Sequence, residues 1–268
     1  MIMDEKNSTK LLFRVNGLSH SFGGLKAVSN FNLSVDSGAI WGILGPNGAG
    51  KTTVFNLITG VYKPDEGEII FKNEYIDGLP SPAIIAQGIA RTFQNIRLFK
   101  SMSVLDNVRT AAYGNLSYPL WSAVFRTRQY HNWENRVRGS SSAILEKFGL
   151  ADRMHEQAAS LPYGQQRKIE LARALLSKPE LLLLDEPGAG MNPAELHNLA
   201  ELILWVRKEF GVTIILIEHR MQLVVKLCDY VKVLDFGETI FDGMTSGLGQ
   251  SEAVVKAYFG EDQADARH

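Results

Sequence analysis

One eight-residue pattern constrains this chain more than any other feature of its sequence. Residues 45–52, Gly-Pro-Asn-Gly-Ala-Gly-Lys-Thr, match the pattern G-x-x-x-x-G-K-[ST]. They follow an apolar run, Ile-Trp-Gly-Ile-Leu, and precede a stretch of helical composition, Thr-Thr-Val-Phe-Asn-Leu-Ile. Glycines let successive backbone N–H groups turn inward around phosphate oxygens, and the helix that follows directs its positive end at them. The sequence therefore predicts a phosphate-binding loop between a strand and a helix.

A second pattern supplies the acids that such a loop needs for chemistry. In the loop itself, Lys51 is expected to neutralise the β and γ phosphates and Thr52 to offer its hydroxyl to Mg²⁺. Residues 181–186, Leu-Leu-Leu-Leu-Asp-Glu, form an apolar run that ends in two carboxylates. An ionised acid at the end of a buried strand needs a strong partner, and Mg²⁺ is a suitable one. We expect Asp185 to support the metal and Glu186 to orient and deprotonate the attacking water.

Short aliphatic runs alternate with stretches of helical period along most of the chain. Continuous apolar runs such as LLLL and TIILI suit strands that are covered on both faces, which indicates a largely parallel sheet flanked by helices. The predicted strands are residues 11–15, 31–35, 40–44, 68–71, 181–184, 212–217, 230–234 and 239–241. From about residue 101 to residue 161 strand signals are scarce and apolar residues recur at helical spacing. This middle part is predicted to be a helical subdomain inserted into one α/β core.

Two local features are open to more than one interpretation. Residues 118–138 are rich in aromatic residues and arginines, and fit either a solvated loop or a contact surface. Asp235-Phe236-Gly237 spells a kinase metal-binding triplet, but no His-Arg-Asp catalytic loop precedes it and it lies between two short predicted strands. A hairpin turn is the better interpretation of that triplet.

Composition excludes several classes of protein. The 268 residues include 28 Lys and Arg against 29 Asp and Glu, for a formal charge of −1, and 45% are hydrophobic, as expected of a soluble globular protein. A near-neutral chain lacks the basic excess of most nucleic-acid-binding proteins. No apolar run approaches the roughly 18 residues of a membrane helix, and the N-terminus is polar with both charge signs. We expect no nucleic-acid partner, no spanning segment and no export signal.

Through these motifs, the sequence resembles the ATP-binding cassette (ABC) ATPases over nearly its whole length. The glutamine at the entry to the helical subdomain corresponds to Gln94, in Arg-Thr-Phe-Gln-Asn. A signature loop should precede the acidic strand by about twenty residues, and residues 161–165, Leu-Pro-Tyr-Gly-Gln, stand there. The switch histidine corresponds to His219, and the loop after the acids to residues 188–192. Phe22 is the best match to the aromatic residue that stacks on adenine.

The resemblance implies a fold and a domain layout. It is an α/β P-loop NTPase core with a mainly parallel sheet, an N-terminal antiparallel β subdomain and an inserted helical subdomain at about residues 96–163. Residues 1–268 would form a single ABC ATPase domain, with a flexible tail at residues 261–268.

The resemblance also assigns residues to ATP and Mg²⁺. Hydrolysis would occur between two cassettes packed head to tail, so that neither cassette completes a site alone. The implied catalytic residues are Glu186, His219 and Gln94. The implied ATP contacts are Phe22, Gly45, Asn47, Gly48, Ala49, Gly50, Lys51, Thr52 and Thr53, with Tyr163, Gly164 and Gln165 contributed by the neighbouring cassette. The implied Mg²⁺ ligands are Thr52, Gln94 and Asp185.

The sequence departs from the family pattern at three places. The common signature Leu-Ser-Gly-Gly-Gln is Leu-Pro-Tyr-Gly-Gln here, so Pro162 replaces the serine that contacts the γ-phosphate, and Pro162 has no N–H either. Tyr163 offers a hydroxyl that could substitute for the missing one. The aspartate expected in the loop after the acids is Asn192, and the one that often follows the switch histidine is Arg220.

Longer segments narrow the resemblance to the ATPase subunits of branched-chain amino-acid importers, with urea importers as near relatives. These segments are GPNGAGKTTVFNLITGVYKPDEG, GIARTFQNIRLFKSMSVLDNV, LLLLDEPGAGMNP, IEHRM and EAVVKAYFG. The resemblance implies two membrane permease subunits, a second ABC ATPase or a second copy of this one, and a solute-binding protein reached indirectly. The chain would then lie on the cytoplasmic face of the inner membrane and contact that membrane only through its partners.

The ATPase of a urea or amide importer is an alternative, and two other functions also remain open from the sequence. One is the ATPase that drives lipopolysaccharide extraction, which usually keeps the signature serine and lacks the insertion around residues 118–138. The other is a soluble ABC protein of translation or DNA repair, for which two fused cassettes or a long coiled coil would be expected.

Overall fold

A computed structural model describes residues 10–115 and 118–259 of the chain. The chain divides into two units, of which the first contains residues 1–84 and 183–268 and the second residues 85–182. The predicted helical subdomain, residues 96–163, falls inside the range of the second unit, and its boundaries stay a prediction. The predicted flexible tail, residues 261–268, lies outside the described residues.

The elements of both units are as follows. The strands are β1 (Leu11–Phe22), β2 (Leu25–Asp36), β3 (Ile40–Leu44), β4 (Glu66–Phe71), β5 (Glu74–Tyr75), β6 (Ile89–Arg91), β7 (Leu181–Asp185), β8 (Thr213–Ile217), β9 (Tyr230–Asp235) and β10 (Glu238–Met244). The α-helices are α1 (Lys51–Ile58), α2 (Ser81–Gln87), α3 (Val104–Arg109), α4 (Leu120–Val124), α5 (Arg128–Lys147), α6 (Tyr163–Leu176), α7 (Pro193–Phe210), α8 (Met221–Leu227) and α9 (Glu252–Phe259).

The N-terminal strands form the expected antiparallel sheet, in the order β2-β1-β4-β5. Both β1 and β2 are longer than the runs predicted from their apolar residues. Polar residues interrupt the apolar pattern of both strands but do not end them, because the hydrogen-bonded pairing of β1 with β2 shifts register along its length. Gly17 and Asn30 take positive φ values of 59° and 48° in these interruptions, a conformation that glycine and asparagine tolerate best.

The second sheet confirms the prediction of a mainly parallel core. Its order in the first unit is β10-β9-β3-β8-β7, and β3 runs parallel to both β8 and β9. Every residue of β3, β7 and β8 is buried, as continuous apolar runs require when helices cover both faces. At the edge, β10 is antiparallel to its neighbour β9. Parallel strands bring their carboxyl ends to one edge, so the residues after β3, β7 and β8 lie together.

The turn between β9 and β10 contains two residues, as predicted for the Asp-Phe-Gly triplet. Phe236 and Gly237 have φ values of 43° and 82°, which is the positive-φ pair of a tight hairpin. The Gly237 N–H donates to the carbonyl of Ala49 at 3.1 Å, and the Gly237 carbonyl accepts from the N–H of Ser29 at 2.8 Å. The turn therefore braces the phosphate loop, a role that the sequence did not predict.

The second unit is built mainly of helices. In it the carbonyl of Gly88, just before β6, accepts from the N–H groups of Glu180 and Leu181 at the start of β7. Residues 118–138, whose composition fits either a solvated loop or a contact surface, contain α4 and the first half of α5. Trp133 and Val137 of α5 are buried, while Trp121 and Phe125 are exposed.

Within residues 10–115 and 118–259, no helix combines the length and hydropathy that a bilayer crossing requires.

Candidate active site

The phosphate loop connects β3 to α1, and its conformation depends on glycine. Gly45, Gly48 and Gly50 have φ values of 152°, 85° and 97°. A Cβ atom on Gly45 would lie 2.2 Å from the carbonyl oxygen of Leu234, and one on Gly50 would lie 2.3 Å from that of Ala27. No side chain caps the first turn of α1. The loop thus keeps its backbone against the sheet and the positive end of α1 facing its own concave side.

Lys51 begins α1 and is 5% exposed. Its Nζ atom donates to the carbonyl oxygens of Gly45 and Pro46, both at 2.7 Å. Burial lowers the pKa of Lys51 from its usual value, and the carboxylates of Glu186, Asp185 and Glu218 oppose that shift. The cation therefore lies inside the loop with acids nearby, where an incoming phosphate could replace the two carbonyl contacts.

The two predicted acids follow different paths at the end of β7. Asp185 is the last residue of the strand and is 5% exposed, while Glu186 has left the strand with a φ value of 41°. A left-handed conformation is costly for glutamate, and such strain is concentrated at functional sites. The Glu186 N–H donates to the carbonyl of Ile217 at 3.0 Å, so the residue is held beside the end of β8.

His219 follows β8 by two residues and meets Glu186 there. The Nδ1 atom of His219 lies 3.6 Å from the Oε2 atom of Glu186. The glutamate side chain is 14% exposed and the histidine side chain 41% exposed, so the pair opens to solvent on the histidine side. The first unit thus gathers Lys51, Asp185, Glu186 and His219 at one edge of the parallel sheet.

Comparison with known proteins agrees with this geometry. A family model described as "ABC transporter" matches residues 28–189. The chain belongs to the ABC transporter family. LivG of Escherichia coli K12, named a high-affinity branched-chain amino acid transport ATP-binding protein, is 41% identical over 250 residues, covering 93% of this chain and 98% of LivG. BraF of Pseudomonas aeruginosa carries the same description and is 41% identical with the same coverage. This ABC protein is an ATPase coupled to transport, and such subunits work with membrane permease components.

Solved structures agree with the relatives. An ATP-binding cassette of an ABC transporter in its ADP conformation matches with a TM-score of 0.82 and 31% identity, covering 94% of this chain and all of that one. A nucleotide-free cassette matches with a TM-score of 0.80 and 30% identity at the same coverage. The expected ABC ATPase fold is therefore confirmed, and ATP is the nucleotide of this family.

Glu218 is a buried acid of the ABC site that the sequence analysis missed. Its Oε1 atom accepts from the N–H of Gly188 at 2.8 Å, and its Oε2 atom accepts from the N–H of His219 at 3.3 Å. Burial raises the pKa of Glu218, and these backbone donors oppose the shift. The carboxylate thus ties the loop after β7 to the backbone of His219. Like Asp185, Glu218 comes at the end of a continuous apolar run, and this pattern predicts a buried acid there.

Two departures from the family pattern have structural roles. Asn192 caps α7: its Oδ1 atom accepts from the N–H of Glu195 at 3.0 Å, and the Glu195 carboxylate accepts from the Asn192 N–H at 2.9 Å. Arg220 donates from Nη1 to the carbonyl of Met191 at 2.6 Å. Arg220 therefore ties the loop that holds His219 to residues 188–192, the loop after the acids.

Phe22, the expected adenine contact, belongs to an aromatic cluster. Its ring centroid lies 4.7 Å from that of His20 and 5.2 Å from that of Tyr62, and it is 44% exposed. The rings of His20 and Tyr62 are stacked at 5.6 Å. An exposed aromatic surface next to the hairpin of β1 and β2 suits stacking on a base, and Tyr62 and His20 enlarge it. No local pattern predicts the contact with Tyr62, which lies forty residues from Phe22 in the sequence.

The tip of the phosphate loop is open. Asn47 and Gly48 are exposed, and with Ala49 they line a cavity of about 590 Å³ bounded by the β9–β10 hairpin and α9. Thr52 is exposed and Thr53 partly buried in the first turn of α1.

The remaining predicted residues lie in the second unit. Tyr163 and Gly164 begin α6, and Pro162 precedes them in an extended conformation without a side-chain cap. Gln165 is also in the first turn, and its N–H donates to the carbonyl of Pro162 at 2.9 Å. Gln94 lies in the segment after β6, where its carbonyl accepts from Arg167 of α6 at 3.4 Å. The second unit therefore places Gln94 and the signature loop on either side of one arginine.

Proposed function

We propose that this chain is the ATP-hydrolysing subunit of an importer for branched-chain amino acids. The observation that carries this proposal is the 41% identity to LivG and BraF over nearly the full length of each chain. A related protein of Archaeoglobus fulgidus, named a probable branched-chain amino acid transport ATP-binding protein, is 33% identical over 261 residues. Relatives from bacteria and an archaeon thus carry the same transport description.

The proposed chemistry follows from the first unit. The loop from Gly45 to Thr53 would hold the phosphates of ATP, with Lys51 exchanging its two carbonyl contacts for phosphate oxygens. Phe22 would stack on adenine. Glu186 would orient the attacking water and accept its proton, and His219 would hold the Glu186 carboxylate from 3.6 Å away.

The donor set also suits Mg²⁺, which prefers oxygen ligands. The Thr52 hydroxyl and the buried Asp185 carboxylate are such oxygens, and both lie in the first unit. Gln94 is on the second unit, and its assignment as the third ligand rests on the resemblance. When bound, Mg²⁺ would neutralise charge on the phosphate oxygens.

We propose that two cassettes pair head to tail, with Tyr163, Gly164 and Gln165 of one facing the nucleotide of the other. The partner cassette would be a second ABC ATPase or a second copy of this chain. Two permease subunits would hold the pair at the cytoplasmic face of the inner membrane, and a solute-binding protein would act through those permeases. Contact with the membrane would be made only through these partners.

Uptake measurements test the proposed solute. In a strain that lacks this gene, uptake of labelled leucine, isoleucine and valine should fall and should return with the wild-type gene. The Glu186→Gln variant should not restore uptake, because it lacks the proposed base. Normal leucine uptake in the deletion strain, or a loss of urea uptake instead, would contradict the proposal.

A further inference from the structure

The hydroxyl of Tyr163 contacts a buried arginine of its own helix. It lies 3.3 Å from the Nη2 atom of Arg167, one helical turn away, and the guanidinium carbon lies 5.9 Å from the centre of the tyrosine ring. Arg167 is 1% exposed. The hydroxyl is therefore directed along α6 towards the interior of the second unit, and away from the start of the helix.

The same guanidinium also holds the backbone around Gln94. Nη2 lies 3.4 Å from the carbonyl oxygen of Gln94, and Nη1 lies 3.4 Å from that of Phe93. Nη1 is also 2.5 Å from the Oε2 atom of Glu170, which is 1% exposed. One planar group thus joins Tyr163 and Glu170 of α6 to two successive carbonyls of another segment, a geometry that only arginine provides.

Further contacts extend this attachment along the segment. Nη1 of Arg173, later in α6, donates to the carbonyl of Arg97 at 2.6 Å. The guanidinium of Arg97 lies 4.0 Å from the ring centre of Phe93. Residues 93–97 are therefore fastened to α6 through side chains that recur every three or four residues, which is the spacing of one helical face.

We propose that Tyr163 and Arg167 are positioning residues that couple the signature loop to the Gln94 segment of the same cassette. We call the contacts that join Tyr163 through Arg167 to residues 93–97 the clamp. The Tyr163 hydroxyl then belongs to this clamp and does not replace the missing serine on the γ-phosphate. At Tyr163, only the backbone N–H group would then face the neighbour's nucleotide. This inference rests on the proposed function, because it assigns the clamp to ATP turnover. Its consequence is that the signature loop and Gln94 move as one body.

Four full-length variants test the clamp. Tyr163→Phe removes the hydroxyl and keeps the ring. Arg167→Lys keeps the positive charge but removes the planar guanidinium group with its two terminal nitrogens. The third variant combines both changes. The matched control is Tyr113→Phe, since the Tyr113 hydroxyl lies 3.3 Å from Nη2 of Arg109 and the residue is 40% exposed, against 42% for Tyr163. Tyr113 lies outside the signature loop and the Gln94 segment.

Hydrogen–deuterium exchange without nucleotide gives a readout that does not depend on activity. Backbone amides of residues 91–97 should exchange about 2- to 10-fold faster in Tyr163→Phe and in Arg167→Lys, as loss of one hydrogen bond implies. The double variant should exchange little faster than Arg167→Lys, and Tyr113→Phe should match wild type. Unchanged exchange in Tyr163→Phe, or effects that multiply in the double variant, would overturn the clamp. If Arg167→Lys does not fold, Tyr163→Phe alone decides.

Steady-state kinetics of the assembled transporter then separate the clamp from a phosphate contact. With the clamp, Tyr163→Phe should lower kcat for ATP about 2- to 10-fold and leave KM for ATP nearly unchanged. A raised KM with unchanged kcat would place the hydroxyl on the nucleotide and overturn the proposal. A wild-type protein without ATPase activity would refute the proposed function, while the exchange result would still decide the clamp.

Discussion

At the residue scale, Gly45 and Gly48 share a loop and a positive φ but differ in what surrounds them. A Cβ atom on Gly45 meets a backbone carbonyl at 2.2 Å, whereas nothing lies within 4 Å of one on Gly48. Gly48→Ala should therefore cost about 1–2 kcal/mol of unfolding free energy, from backbone strain alone. Gly45→Ala should cost more, because β9 must also move, and should weaken ATP binding. Denaturant titrations of both variants measure the loss of unfolding free energy, and equal losses in the two variants would contradict the prediction.

The contact between Glu186 and His219 predicts separate effects on binding and hydrolysis. Glu186→Gln keeps the shape of the side chain but removes the base, so ATP hydrolysis should fall by about 10²–10⁴-fold. ATP affinity should stay near the wild-type value, because the loop and Lys51 are untouched. Single-turnover hydrolysis and equilibrium binding of ATP measure the two effects. Fast single-turnover cleavage by the variant would show that the base lies elsewhere.

Among the elements, α6 contains a buried ion pair between Arg167 and Glu170. Breaking this pair should make the free energy of unfolding depend on pH. Burial raises the pKa of Glu170, and Arg167 is the main group that opposes this shift. Arg167→Met removes the ion-pair partner of a buried carboxylate, which should cost about 3–5 kcal/mol near neutral pH. A raised pKa in the folded state means that the folded chain binds more protons, so stability falls as pH rises. The loss should therefore be smaller at pH 5 than at pH 8 in denaturant titrations, and a pH-independent loss would contradict it.

Only part of the candidate site could be predicted from the sequence, and the contacts of α6 could not. The phosphate loop and the acids after β7 were predictable because each is a local pattern next to an apolar strand. The parallel sheet followed from continuous apolar runs, and only a parallel sheet brings His219 beside Glu186. Contacts such as that of Arg167 with Phe93, 74 residues apart, leave no local pattern. The length of β1 was underestimated for a related reason, because its polar residues are accommodated by bulges that depend on the partner strand.

At the scale of the whole molecule, the groups proposed to bind ATP are divided between two units. The phosphate loop, Asp185, Glu186 and His219 belong to the first, and Gln94 and the signature loop belong to the second. Loss of a phosphate contact in the first unit, such as that of Lys51, should therefore remove nucleotide binding by a single chain. Changes at the signature loop should alter ATP binding only where a second cassette is present.

Stabilisation of the full chain by ATP tests that division. A ligand that binds only the folded state adds about 2.7 kcal/mol at one hundred times its Kd, which for a chain of this size raises Tm by about 5–10 °C. Wild type and Glu186→Gln should both show this rise with ATP and Mg²⁺, since neither loses a phosphate contact. Lys51→Ala should not show the rise. The variant lacks the ammonium group that the carbonyls of Gly45 and Pro46 hold, which is the main positive charge proposed to contact the phosphates. An equal rise in Lys51→Ala would place the nucleotide outside the loop.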